Sequence, residues 1–140
     1  MPTAETAPLF VAVSHIDLTV SDVEKSADWY CEVLGLRRMR RADLDNRIMI
    51  MLIQQETGLV IGLNQHNEPT ADRFDEHSPG LDHLGFGVGE RADLDEREAR
   101  LTELGVEHSP VTDSGSGSGA ALVFRDPDNI QLEFWWTRPR

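Results

Sequence analysis

An internal repeat constrains this chain more than any other feature, because one supersecondary unit written twice leaves few ways to fold. The first half contains His15-Ile16-Asp17-Leu18-Thr19-Val20 and the second His83-Leu84-Gly85-Phe86-Gly87-Val88, each a histidine followed by apolar residues at every second place. That alternation predicts a strand with one apolar face. A helical stretch follows each strand. In the first half Ser21 and Glu24 form a candidate capping box, and Ala27, Tyr30 and Leu34 recur at helical spacing. In the second, Asp93 and Glu96 stand in the same relation beside Leu94, Leu101 and Leu104. Glycine closes both helices, in Leu34-Gly35-Leu36 and Leu104-Gly105-Val106. Residues 52–63, LIQQETGLVIGL, align without gaps on residues 123–134, VFRDPDNIQLEF, and both read strand, polar turn, strand. Each half is therefore expected to be a βαβββ unit.

The expected organisation is a single α+β domain over residues 1–140, with a first module at 8–66, a polar linker at 67–80 and a second module at 81–137. Modules of this size bury too little surface to be stable separately, so they are expected to share a core. Residues 114–119 alternate serine and glycine, which reads either as a plain loop or as a mobile flap beside a site.

Charge removes whole classes of partner. Thirteen basic against 25 acidic side chains leave a formal charge of −12, which disfavours nucleic acid and anionic membrane. The charge-free apolar run at 9–13 is too short for a membrane span and lacks the flanks of a signal peptide. A single cysteine, Cys31, excludes an internal disulfide framework and fits a reducing cytoplasm.

Strand periodicity then sorts the side chains. Ile16, Leu18 and Val20 share one face, with His15, Asp17 and Thr19 opposite. Leu84, Phe86 and Val88 oppose His83, Gly85 and Gly87, and Ile130, Leu132 and Phe134 oppose Gln131, Glu133 and Trp135. The apolar faces are expected to pack on the helices, leaving His15, His83 and Glu133 among small residues. Two imidazoles and one carboxylate make the ligand set of a facial-triad metal site. Gly85 and Gly87 either clear a cavity beside His83 or mark a bulge. In the gapless alignment Glu133 falls opposite Gly62, so a fourth ligand is missing there. Asn64 and His66, on the same face of that strand, are the candidates to replace it. His77, in the linker, and His108, after the second helix, have no such case.

These residues resemble the vicinal oxygen chelate superfamily of glyoxalases, bleomycin-resistance proteins and extradiol dioxygenases. The resemblance runs over about residues 10–136 and is carried by the first strand motif, Trp29-Tyr30, Val33-Leu34-Gly35-Leu36, Gly80-Leu81-Asp82-His83 and Phe124-Arg125-Asp126-Pro127-Asp128-Asn129-Ile130-Gln131-Leu132-Glu133-Phe134. It implies two βαβββ modules whose mixed sheets curl around a cavity with helices on the convex side, and a homodimer. It implies one divalent metal (Fe, Mn, Zn, Ni or Co) held by His15, His83 and Glu133, with Gly62 where other members carry Glu or Gln. The expected function is a metal-dependent lyase, isomerase or dioxygenase acting on a small oxygen-rich substrate, with Glu133 and Asp17 as catalytic residues and Asp17 as base or supporting partner. The competing reading is a metal-free protein that sequesters a cationic drug in an acidic, Trp135-lined cleft.

Overall fold

A computed structural model describes residues 7–69 and 73–140. The chain divides into two compact units, Met1–Pro69 and Thr70–Arg140. Both run strand, helix and three strands. The first unit contains β1 (Ile16–Thr19), α1 (Val23–Leu34), β2 (Arg37–Asp43), β3 (Arg47–Gln54) and β4 (Leu59–His66). The second contains β5 (Leu84–Gly87), α2 (Arg91–Glu103), β6 (Thr112–Asp113), β7 (Gly119–Arg125) and β8 (Gln131–Thr137). Each unit forms an open four-stranded sheet, in the orders β1-β4-β3-β2 and β5-β8-β7-β6. The first strand of each unit lies parallel to the last, and the other pairings are antiparallel. The α+β class and the βαβββ order expected from the repeat both hold.

The apolar faces pack as the alternation predicts. In the first unit Leu18, Ile50, Leu52, Ile61 and Leu63 are buried beneath Val23, Ala27, Tyr30 and Val33 of α1. In the second, Leu122, Phe124, Leu132 and Phe134 pack with Leu94 and Leu101 of α2, and the Phe124 and Phe134 rings stack at 5.1 Å. Each such side chain contributes about 1.5–3 kcal/mol by leaving water. The hairpin turns also match. Gly58 closes the β3–β4 turn at φ 79°, and Asn129 closes the β7–β8 turn at φ 71°. Asp126 Oδ1 accepts from the amides of Asp128 and Ile130, both at 2.8 Å, which fixes the second turn.

Both helix starts differ from expectation. Asp22, not Ser21, caps α1, accepting from the Lys25 amide at 3.1 Å. The backbone first turns helical at Val23, so the carboxylate of Asp22 is the one within reach of the exposed amides. For α2 the cap is Glu90, and Asp93 is the third helical residue, accepting from the Glu90 amide at 2.9 Å. The box thus sits three residues earlier than the Asp93–Glu96 pair, with a carboxylate in the first turn where the helix dipole favours it.

Of the stretch expected as a linker, residues 70–72 lie outside the described residues. Phe74 is bonded to the β7–β8 turn through its amide to Asp128 O and its carbonyl from Asn129 Nδ2. Arg125 adds a two-pronged grip on Glu76. Residues 114–119 form a hairpin turn between β6 and β7, in which the hydroxyls of Ser114, Ser116 and Ser118 bond to one another.

Candidate metal centre

In the second unit the geometry starts from the parallel pairing of β5 with β8. Their ladder is continuous, with Leu84 opposite Leu132, Gly85 opposite Glu133, Phe86 opposite Phe134 and Gly87 opposite Trp135. No residue is inserted, so Gly85 and Gly87 do not mark a bulge. They line a cavity of about 380 Å³ together with His83, Glu133 and Trp135. A Cβ on Gly85 would stand 3.1 Å from Glu133 Oε1, whereas one on Gly87 would meet nothing within 4 Å. Gly85 therefore makes room for the carboxylate, and Gly87 leaves the cavity floor open.

His83 Nε2 lies 3.3 Å from Glu133 Oε1, and the Glu133 side chain is only 16% exposed. On the other side of the ring, His83 Nδ1 meets Asp82 Oδ1 at 2.6 Å. Gln131 Nε2 in turn donates to Asp82 O and Oδ1 at 3.1 and 3.2 Å. The hydrogen bond to Asp82 raises the His83 pKa above the ordinary imidazole range, burial opposing it and the Glu133 charge adding to it. A carboxylate on Nδ1 fixes the tautomer that presents the Nε2 lone pair, the usual support for a metal-binding histidine. Two ligands each about 2.1 Å from one ion, at angles between octahedral and tetrahedral, lie about 3.0–3.4 Å apart. The observed 3.3 Å fits that edge.

In the first unit β1 lies parallel to β4, with Asp17 opposite Gly62. His15 Nδ1 meets Ser14 Oγ at 2.9 Å, and His15 Nε2 lies 3.5 Å from Asp17 Oδ2. Asn64 is buried and already engaged: its Oδ1 accepts from Arg47 Nε at 3.0 Å, and its Nδ2 donates to Asp17 Oδ1 at 3.3 Å. His66 lines a separate hollow with Asp45, Asn46, Asn67 and Glu68. Elsewhere, His108 bonds Thr102 Oγ1 and the Ser109 carbonyl. Asp75, Glu76 and His77 bring one donor atom each within 4.8 Å of one another, a grouping the sequence reading did not single out. Arg125 already holds Glu76 there, and His77 bonds Asp75.

The Glyoxalase/Bleomycin resistance protein/Dioxygenase superfamily profile matches residues 12–134. Protein YwkD of Bacillus subtilis (strain 168) is 32% identical over 129 residues, covering 91% of this chain and 98% of that protein. Among solved structures, a glyoxylase/bleomycin resistance protein/dioxygenase domain from Frankia sp. EAN1pec is 39% identical with a TM-score of 0.84, covering 92% of this chain and 93% of that one. A FosX fosfomycin resistance protein from Listeria monocytogenes, complexed with Mn(II) and 1S,2S-dihydroxypropylphosphonic acid, shares the fold at a TM-score of 0.71 and 20% identity, covering 93% of this chain and 95% of that one.

Proposed function

Since the chain belongs to the Glyoxalase/Bleomycin resistance protein/Dioxygenase superfamily, we propose that it is a divalent-metal enzyme acting on a small substrate with neighbouring oxygen atoms. In this reading His83 and Glu133 hold the metal. One observation carries it: His83 Nε2 and Glu133 Oε1 stand 3.3 Å apart on the wall of a cavity, with the far side of the ring fixed by Asp82. His15 holds the equivalent place in the first unit's repeat, one residue before β1 as His83 is one residue before β5. The Mn(II) complex of the FosX neighbour is consistent with a metal of this kind.

When bound, the metal supplies Lewis acidity, polarising substrate oxygens and stabilising negative charge that develops on them. The chain's own residues do the rest. Glu133 offsets one positive charge, and Asp82 holds the imidazole in its ligating tautomer. Trp135 and the bare Gly87 shape a slot for the organic part of the substrate. Imidazole and carboxylate accommodate Fe, Mn, Zn, Ni or Co, and the reaction classes proposed are a lyase, isomerase or dioxygenase step. The proposal places the enzyme in the cytoplasm as a homodimer; no helix among the described residues is long and apolar enough to cross a membrane.

The test is elemental analysis of untagged protein beside His83→Ala and Glu133→Ala. Near-stoichiometric metal in the wild type and its loss in both variants is the expected result. Protein that neither contains nor takes up metal would end this reading. Tight uptake of a cationic aromatic drug by such metal-free protein would favour sequestration, which the pairing of Trp135 with Glu133 in one cavity makes chemically reasonable.

A further inference from the structure

We propose that Gln131, held by Arg125, is a positioning residue that fixes His83 in its metal-ligating tautomer by way of Asp82. The proposal rests on the reading above that His83 binds the ion. Every residue in it belongs to the second unit.

The contact between Asp82 and His83 is weak by itself. The two are neighbours in sequence, and the Asp82 side chain is 68% exposed. A carboxylate so placed is free to turn into water, and its 2.6 Å contact with His83 Nδ1 would then be lost. Gln131 removes that freedom. Its Nε2 donates both to the backbone O and to Oδ1 of Asp82, at 3.1 and 3.2 Å. A donor shared between the carbonyl and the carboxylate of one residue holds that side chain against its own backbone. The register puts Gln131 in place: Leu84 lies opposite Leu132 at the start of β5, which brings the residues just before β5 beside Gln131. Gln131 also shares the polar face of β8 with Glu133, so one strand face supplies one ligand and steadies the other.

An amide can present either end, and here Arg125 decides. Arg125 and Gln131 are paired across β7 and β8. Arg125 Nη2 donates to Gln131 Oε1 at 3.1 Å, and a guanidinium has no acceptor to offer. The carbonyl end of Gln131 must therefore face Arg125, and its NH2 end must face Asp82. The Asp82 carboxylate only accepts, so the proton between it and His83 belongs to Nδ1. In the neutral imidazole that leaves the lone pair on Nε2, the atom 3.3 Å from Glu133 Oε1. Each assignment forces the next, from the guanidinium to the ring. Arg125 is itself anchored by Glu76 and the Asn129 carbonyl.

The repeat shows that the fold does not require this network. In the gapless alignment Val60 and Gln54 stand where the second unit has Gln131 and Arg125, and Ser14 stands in the place of Asp82. His15 Nδ1 meets a hydroxyl, which can donate or accept and so fixes no tautomer. The first unit builds the same strands without the relay.

The experiment reads His83 in metal-free protein by nitrogen NMR, which separates the two neutral tautomers. Because the bond to Asp82 raises the His83 pKa, spectra are taken at a pH high enough to leave the ring uncharged. The proteins are the wild type, Gln131→Leu, Arg125→Met and Arg125→Lys, with His83→Ala to identify the signal, and each is then titrated with Mn(II). The wild type and Arg125→Lys, which keeps a pure donor at Gln131, are expected to show a single Nδ1–H tautomer. Gln131→Leu and Arg125→Met are expected to show a mixture. Both should bind Mn(II) about tenfold more weakly, the lower end of the loss that outer partners of a ligand cause. Gln131→Leu leaves the Glu76–Arg125 pair in place, so it decides the matter if Arg125→Met loses stability. A single Nδ1–H tautomer in either folded variant, or a mixture already in the wild type, would overturn the proposal, whatever happens to Mn(II) affinity. A wild type with the expected tautomer that takes up no Mn(II) would end the metal reading and leave the relay standing.

Discussion

Glu133→Gln separates a metal ligand from a structural ion pair, because the two roles predict different magnitudes. The substitution keeps the shape of the side chain and removes its charge. Without metal, its ionic partner is His83, whose side chain is 43% exposed against 16% for Glu133. A partly exposed pair of this kind contributes at most about 1 kcal/mol. Gln also relieves the cost of holding a carboxylate out of water, so the metal-free Tm should move by no more than about 3 °C. With metal the case differs. At a free concentration 100 times the wild-type Kd, binding stabilises the fold by about 2.7 kcal/mol, a Tm rise of roughly 5–10 °C for a chain of this size. Losing a ligand costs at least the roughly 100-fold that losing a strong supporting partner does. At the same metal concentration the variant then gains only about 0.4 kcal/mol, and the rise shrinks to about 1 °C. Thermal melts with and without Mn(II), paired with titration calorimetry, read both quantities. An equal metal-induced rise in the two proteins would refute Glu133 as a ligand.

Four further substitutions test neighbouring parts of the structure. Gly85→Ala places a Cβ 3.1 Å from Glu133 Oε1, so the carboxylate must give by a few tenths of an ångström; metal titration should show weaker binding with melting little changed. Gly119→Ala drives a Cβ into the Trp136 carbonyl and the Trp135 indole, and urea unfolding should reveal a loss of roughly 1–3 kcal/mol. Asp126→Ala leaves the buried amide of Ile130 without its acceptor and should cost about 1–3 kcal/mol in the same assay. Glu76→Gln probes pH dependence. Hydrogen bonding to Arg125 holds the Glu76 pKa below the ordinary carboxylate range, so the bond stabilises the fold above the unfolded pKa of about 4.3. The wild type's advantage over Glu76→Gln should be full at neutral pH and vanish as pH falls through the depressed folded value.

The sequence made the repeat legible because both halves obey the same local rules. Period-two alternation assigned the faces of β1, β5 and β8, and the turn chemistry of Asp126 and Asn129 located the β7–β8 hairpin. Helix starts were less legible for a local reason. Ser21-Asp22-Val23-Glu24 offers two adjacent capping side chains, and which one caps depends on where the backbone first turns helical, at Val23. In α2, Asp93 carries the right side chain for a cap but stands at the third helical position. Periodicity also left the two glycines of β5 ambiguous, since a bulge and a cleared cavity have the same residues. Only the unbroken ladder to β8 separates them.

What faces Gly62 was less legible for a related reason. Asn64 and His66 share a strand face with Gly62, and one-strand reasoning finds only residues on that strand. Pairing reaches further. Asp17 is 45 positions away in sequence yet directly across the ladder from Gly62, while Asn64 spends its amide on bracing Asp17. A strand face in a parallel sheet is a two-dimensional surface, so a side chain on one strand can lie over its neighbour if the facing residue is glycine. Gly62 and Gly85 then share one geometry: each is bare where the strand beside it carries an acid, Asp17 or Glu133. By that logic Gly62→Glu alone should destabilise the protein, through collision with Asp17, whereas Asp17→Gly/Gly62→Glu should melt near the wild type. Equal melting of the single and double variants would show that the two positions do not compete for the same space.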